Sequence, residues 1–156
     1  MQEADLLRLF DLYADSVYRL ALSCLRSAQD AEDAVQAVFL KLIEGKARPI
    51  PGKERALLTQ ITLNQCRDML RSAKRRRTVP LDETIPFREP EDRALFQAVM
   101  ALPDKYRVAV FLHYYEGYSF SEIAAFLKLG PSAVSMRLHR ARAMLKESLG
   151  RDCYGA

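Results

Sequence analysis

Along much of this chain the apolar residues recur at intervals of three and four, the spacing of amphipathic helices, and the pattern is clearest toward the C-terminus. Asp104, after Pro103, can open a helix through Tyr115, and Gly117 can end it because glycine tolerates the left-handed backbone of a helix stop. Ser119 can cap the next helix, with Glu122 three residues later completing a capping box. Phe120, Ile123, Ala124 and Leu127 give that helix one buried stripe. A short turn, Lys128 to Pro131 with Gly130 in it, leads to a helix starting at Ser132, whose stripe is Val134, Leu138, Ala141, Leu145 and Leu149. Two short helices joined by a tight, glycine-containing turn predict a helix-turn-helix, a geometry that an ordinary helical hairpin shares.

In the N-terminal half, Asp30 can cap a helix running to about Glu44, with Asp33 placed to complement its dipole. Ala31, Ala34, Val35, Val38 and Leu42 form its stripe, and Asp33, Gln36 and Leu40 face the other way, with Glu32, Ile43 and Glu44 at the margins. A helix over roughly Lys53 to Arg77 is apolar on more than one side, with Leu58, Ile61 and Met69 on one and Leu63, Cys66 and Leu70 on another. A polar row, Asn64, Asp68 and Arg71, runs between those sides, and Asn64 and Asp68 are expected to hold the bundle together. Residues 78–91, TVPLDETIPFREPE, contain three of the seven prolines and no periodicity, so they read as an extended, flexible linker. The expected fold is all-α: two small helical domains, 1–77 and 92–150, joined by that linker, with a loose tail from Gly150 to Ala156.

Composition narrows the function classes. With 49% apolar and 28% charged residues the chain is globular rather than disordered. No apolar run approaches the ~18 residues of a membrane span, so no membrane insertion is expected. The first residues include Glu3 and Asp5 and do not resemble a secretion signal. Cys24, Cys66 and Cys153 are far apart and form no metal-ligand spacing with His113 or His139; Cys24 and Cys66 read as reduced core residues of a cytoplasmic protein, whereas Cys153 lies in the tail. His113 is read as a packing residue and His139 as a groove or phosphate contact. Neither has a nucleophile or carboxylate at a motif spacing, so the chain is not expected to be an enzyme, and no cofactor or metal is expected.

Charge distribution says more than the net +4. Residues 1–45 carry 4 basic and 8 acidic side chains, 46–77 carry 10 and 2, 78–92 carry 1 and 5, and 93–156 carry 9 and 5. Two basic segments separated by acidic ones suggest two contacts with an anionic polymer. One is the run Lys74 to Arg77, with Arg67 and Arg71 on the turns before it, suited to phosphate. The other is the outward face of the last helix: Ser132, Met136, His139 and Arg140, flanked by Ser135, Arg137 and Arg142, where small residues can enter a major groove and arginines can reach phosphates or guanine. Gly45 to Gly52 forms a rigid proline-bearing loop able to hold an unstacked base, though it lacks an aromatic residue. The exposed Leu40 among carboxylates suggests a protein partner with a basic surface, or a solvated face with one stray leucine.

The segments DAEDAVQAVFLKL (Asp30 to Leu42), ITLNQCRDMLRSAKRRR (Ile61 to Arg77) and the block Leu102 to Glu147, with its Leu102-Pro103, Glu116-Gly117 and RLHRAR (Arg137 to Arg142) elements, resemble the extracytoplasmic-function (ECF) sigma factors of bacterial RNA polymerase. The resemblance spans nearly the whole chain, in order. It implies that Asp30, Glu32, Asp33, Gln36, Phe39 and Leu40 bind the clamp of core RNA polymerase. It implies that Lys46, Arg48, Lys53, Arg67, Arg71, Lys74 and Arg75 open and hold the −10 element of promoter DNA. Ser132, Ala133, Ser135, Met136, Arg137, His139 and Arg140 would then read the −35 element while the same domain touches the flap, and an anti-sigma factor is an expected further partner. The sequence departs from the family at Leu57, where a tryptophan is usual, at Ala37 and Val38, where acidic and threonine residues are frequent, and at Ala133 and Ser135, where Thr and Lys are common. The rival readings are a helix-turn-helix regulator that binds duplex DNA alone as a dimer, and an interaction protein that sequesters a partner without touching DNA.

Overall fold

The structure, a computed structural model, describes residues 2–73 and 90–153, and every regular element among them is helical. The chain divides into two compact units, Met1–Glu83 and Thr84–Ala156.

The N-terminal unit is built of α1 (Glu3–Leu25), α2 (Ala28–Ile43) and α3 (Glu54–Ala73). Apolar periodicity set no boundaries for α1, yet this helix packs against both others. Leu9 and Val17 of α1 meet Val38, Phe39 and Leu42 of α2 and Leu58 and Ile61 of α3 in one core. Arg26 ends α1 in the left-handed conformation, φ 58°, and its N–H returns to the Leu22 carbonyl. Ser27 then caps α2: its hydroxyl accepts from the Asp30 N–H at 3.2 Å. The cap is thus three residues earlier than expected, and Asp30 lies inside the first turn, where its carboxylate complements the dipole.

Helix α3 starts one residue later than expected; residues 74–77 and 78–89 of the expected 78–91 linker lie outside the described residues, while its last two, Pro90 and Glu91, are not linker but open the next helix. The polar row runs along the surface instead of between helices. Asn64 is exposed and accepts from Gln60 at 3.1 Å, and Asp68 pairs with Arg71, both exposed. Leu70 is also exposed, so the second apolar side fades toward the end of the helix. The polar side chains α3 does bury are Thr59 and Thr62, and the Thr62 hydroxyl donates to the Leu58 carbonyl at 2.6 Å and so needs no water. Cys24 and Cys66 are buried and are not joined in a disulfide. Their mutual hydrogen bond, and then burial, push the Cys66 thiol above its ordinary pKa, which keeps it protonated and unreactive.

The C-terminal unit comprises α4 (Pro90–Met100), α5 (Asp104–Val110), α6 (Phe120–Leu127) and α7 (Pro131–Cys153). Pro90 stands in the first turn of α4, where its missing N–H costs nothing. Helix α5 continues as a π-helical turn, Phe111–Tyr115, so the expected span to Tyr115 is met with one change of hydrogen-bond spacing: the Glu116 N–H reaches the Phe111 carbonyl, five residues back. Gly117 then takes a φ of 75°, as its position demanded. Val110, Leu112, Ile123, Val134, Leu138 and Ala141 are buried together with the Arg107 side chain, which is 1% exposed. Arg107 is tolerated there because it donates to the Leu102 carbonyl at 2.9 Å and to Asp104 at 2.6 Å. The expected loose tail begins later than Gly150, since α7 stays helical to Cys153.

Candidate nucleic-acid and partner interfaces

Helices α6 and α7 form the expected helix-turn-helix, and local chemistry explains each joint. The Ser119 hydroxyl accepts from the Glu122 N–H at 3.1 Å, while the Glu122 carboxylate accepts from the Ser119 N–H at 3.0 Å, a complete capping box. The turn after α6 is made by Lys128, not Gly130: Lys128 takes a φ of 58°, and the Leu129 N–H reaches back to the Ala124 carbonyl at 2.9 Å. Helix α7 then opens at Pro131, one residue before the expected Ser132. Val134, Leu138 and Ala141 have no exposed surface, and Leu145 and Leu149 are half-buried as that stripe leaves the core. Opposite it, Ser132, Ser135, Met136 (53% exposed), His139 and Arg140 face solvent, with Ala133 and Arg137 half-buried at the margins. Small polar residues near the N-terminal end and cations beyond them present hydrogen-bonding and electrostatic chemistry suited to a DNA groove. His113 behaves as a packing residue. Its Nδ1 lies 2.8 Å from the Tyr118 carbonyl, and its ring tilts against Phe120.

In the N-terminal unit, Arg48, Lys53 and Arg67 are all exposed to solvent. Lys46 pairs with Glu44 at 2.8 Å, and this hydrogen bond raises its pKa, while Arg71 pairs with Asp68. Both are solvent-exposed pairs of the kind worth little, which a phosphate can displace. Lys74 and Arg75 lie outside the described residues. The loop carrying Lys46 and Arg48 is turned by two glycines in the left-handed region, Gly45 at φ 74° and Gly52 at φ 85°, which explains glycine at each end of the segment. Between this loop and α1 lies a cavity of about 540 Å³ lined by Arg8, Arg48, Pro49, Pro51, Leu42 and Glu54, among others. Arg8 donates to both carboxylate oxygens of Glu54, at 3.2 and 3.3 Å, and so fastens α1 to the start of α3. Sequence spacing could not reveal Arg8, because its partner is 46 positions away.

On α2, Glu32, Asp33 and Leu40 are exposed, the last by 50%, and Asp30 is half-buried. Gln36 lies on the same face. Phe39 does not. It is 7% exposed and packs edge-to-face on Phe10 at 5.0 Å, so it belongs to the core and supports the face from beneath. The departure at Val38 likewise concerns packing, since that side chain is fully buried, and Leu57 packs against the same core. Three residues that periodicity left out or at the margin widen the apolar part of this surface: Leu7, Phe10 and Ile43 are exposed by 59, 47 and 63%. The Phe10–Phe39 contact places the α1 residues beside α2. Among the described residues no helix is long and apolar enough to cross a membrane, and no group of His, Cys, Asp and Glu is arranged to hold a metal ion.

Comparison with known proteins gives these surfaces a family. Residues 9–76 match the family described as Sigma-70 region 2, and residues 92–145 match that described as Sigma-70, region 4. The chain is 32% identical over 152 residues to the ECF RNA polymerase sigma factor SigE of Mycolicibacterium smegmatis, an alignment covering 89% of this chain and 59% of that one. It therefore spans somewhat less than two thirds of that relative's length. It is also 32% identical over 149 residues to the ECF RNA polymerase sigma factor SigM of Mycobacterium tuberculosis, covering 92% of this chain and 76% of the other. The fold is similar to that of the sigma factor RpoE in its co-crystal structure with the anti-sigma factor NepR from Bartonella quintana, with a TM-score of 0.81 at 21% identity over 95% of this chain and 98% of that one. It is similar as well to CnrH in complex with the cytosolic domain of CnrY, with a TM-score of 0.68 at 26% identity over 97% and 91% of the two chains. Two matched regions in order, with relatives aligned across most of the chain, establish the relationship: this chain belongs to the sigma-70 family, in its extracytoplasmic-function group of RNA polymerase sigma factors.

Proposed function

We propose that this sigma factor binds core RNA polymerase and directs promoter-specific transcription initiation, with its two units taking separate parts of the task. The observation that carries the reading is the exposed face of α7, Ser132 to Arg140, set over a stripe with no exposed surface, in the same chain as the acidic and apolar face of α2. A stand-alone regulator has use for the first face and none for the second. Sequestration of a partner has use for the second and none for the first.

In this reading α7 enters the major groove of the −35 element. Ser132, Ser135 and Met136 meet base edges, His139 and Arg140 reach deeper bases or phosphates, and Ala133 and Arg137 line the margins. Helix α3 and the Gly45–Gly52 loop hold the −10 element through Lys46, Arg48, Lys53, Arg67 and Arg71, and Lys74 and Arg75 continue that basic run. The cavity beside the loop is of a size that binds small ligands and suits one unstacked base of the non-template strand. The loop supplies no aromatic ring, but the guanidinium planes of Arg8 and Arg48 at the cavity wall are surfaces on which a base can stack. The clamp of core polymerase meets Glu32, Asp33, Gln36 and Leu40 of α2, with Asp30 at the edge, and the apolar patch continues over Ile43, Leu7 and Phe10. Residues 78–89, ahead of α4, would connect the units. Their acidic side chains suit a path close to that of the RNA, and the C-terminal unit also touches the flap.

The chain contributes binding energy and strand opening while catalysis of RNA synthesis stays with the polymerase, and it works in the cytoplasm. The solved relatives in complexes with NepR and with CnrY support an anti-sigma factor as a further partner here. Gel filtration of the chain with core polymerase tests the reading. Co-elution is expected, and Leu40→Asp abolishes it while leaving the helical content unchanged. A chain that never co-elutes but binds a palindromic duplex as a dimer overturns it.

A further inference from the structure

The cavity between α1 and the Gly45–Gly52 loop is walled in part by an ion pair. Arg8 Nη1 and Nη2 donate to Glu54 Oε2 and Oε1 at 3.3 and 3.2 Å, a fork between two planar groups that sets the plane of the guanidinium as well as its place. Glu54 is itself held. It stands in the first turn of α3, where its charge complements the helix dipole. Just before it, the Lys53 N–H reaches the Ile50 carbonyl at 2.8 Å, closing a turn with Pro51 second and Gly52, at φ 85°, third. Arg8 is thereby tied to the end of the loop although it belongs to α1. Leu9, Leu42, Ala47, Pro49 and Pro51 supply apolar lining beside it. The Arg8 side chain is 50% exposed, so the pair adds little stability and its main consequence is orientation. Glu54 also offsets the positive charge and takes two of the N–H donors. Both bonds lie at the edge of the guanidinium and consume neither of its faces.

We infer that Arg8, held flat by Glu54, is the stacking platform for a base extruded into this cavity, and that Glu54 is its positioning residue. The inference rests on the proposed reading of the cavity as the site of one unstacked base of the non-template strand, and it names the chemistry of capture. The Gly45–Gly52 loop has no aromatic ring, and a guanidinium plane on the neighbouring helix takes that part. Stacking uses the face of the group, whereas a phosphate contact uses its charge. Lysine keeps the charge and lacks the plane, so it cannot replace Arg8. Because Glu54 orients the side chain before the strand arrives, the cost of ordering it is not met at the moment of binding.

The test uses holoenzyme assembled from core polymerase and the full chain, on a forked fragment of a promoter that it transcribes. Each non-template base of the −10 region is removed in turn to leave an abasic site, and the ratio of affinities for intact and abasic strands is measured. A general electrostatic change acts on both strands and cancels in that ratio. In wild type at least one position is expected to show a ratio of about tenfold, the scale of one base stack. At one such position Arg8→Lys should bring the ratio close to one by weakening the intact strand alone. Glu54→Gln should lower it severalfold there, and Lys41→Gln should leave it unchanged. Circular dichroism and co-elution with polymerase check that each variant is folded and assembled. If no position is sensitive in wild type, the reading of the cavity fails and the inference with it. If a position is sensitive and Arg8→Lys keeps the full ratio at every one, stacking on Arg8 is wrong while base capture survives. A ratio that collapses in Arg8→Lys and stays whole in Glu54→Gln overturns the positioning role of Glu54. Adenosine monophosphate probes the other source of a base: binding to the wild-type chain at least as tight as that of the strand, lost in Arg8→Lys, identifies a free-nucleotide site and overturns the assignment to DNA.

Discussion

Met136 and Leu138 stand two positions apart on α7 and meet opposite surroundings, one 53% exposed and the other with no exposed surface. Leu138→Ala should therefore cost about 2–5 kcal/mol of stability through lost contacts and a cavity. Met136→Ala should stay within about 0.5 kcal/mol of wild type. Urea denaturation followed by circular dichroism measures both, and duplex binding should fall severalfold in Met136→Ala although its fold is intact. Ser119→Ala removes one half of the capping box and should cost about 1 kcal/mol in the same assay, with Ser119→Asp recovering most of it. Positions of this kind were legible because their causes are local: Ser119 with Glu122, and Gly117 with its helix end, are within four residues of one another. The cap of α2 was misplaced for the same reason. Ser27 and Asp30 are both good capping residues three positions apart, and the choice falls to Ser27 only because Arg26 turns left-handed immediately before it. Lys128 in the turn before α7, and Arg8 bound to Glu54, carry no sequence signal of this sort.

At the scale of helices, periodicity identified α2, α3, α6 and α7 but could not say which neighbours would cover each face. The row Asn64, Asp68 and Arg71 lies between two apolar sides in sequence, yet faces solvent, because α1 and α2 cover the sides bearing Leu58, Ile61 and Cys66. Phe39 is the converse case: it lies beside the exposed acidic face of α2, and the arrival of Phe10 from α1 makes it core. Helix packing also has a consequence for pH. The Cys66 thiol is raised above its ordinary value of 9.0 by the Cys24 hydrogen bond and by burial. A raised pKa means that its stabilising contribution is complete below the ordinary value and is lost as pH rises past it. There the unfolded chain ionises while the folded unit keeps its proton. Stability of the N-terminal unit should accordingly fall above pH 9.0, by up to roughly 1.4 kcal/mol per pH unit from this group. Cys66→Ala, compared with wild type by urea denaturation at neutral and alkaline pH, should be less stable at neutrality and show a shallower alkaline decline. Equal declines would mean that the thiol keeps an ordinary pKa.

The whole molecule is two compact units, each matched to one sigma-70 region, and the alternation of basic and acidic blocks along the chain follows the same division. The proposed function was suggested at this scale because an acidic helix with an exposed leucine, a basic helix and a helix with an exposed polar and cationic face occur in that order along one chain. Less legible was the breadth of the exposed apolar surface beside α2, since Phe10 of α1 reaches it only through tertiary packing on Phe39. Separate units also predict separable failures. Reversing Arg67 and Arg71 to Glu should abolish promoter opening, read by permanganate footprinting of the −10 region, while polymerase binding on a column persists. Arg137→Glu should reduce promoter occupancy instead, without changing co-elution with polymerase. The most direct test of the central claim is transcription in vitro with core RNA polymerase on a library of promoter fragments, with and without this chain, followed by sequencing of the transcripts. Initiation from a defined subset of fragments sharing two separated sequence elements, and only when the chain is present, is the predicted result. An identical transcript profile with and without the chain would contradict the account.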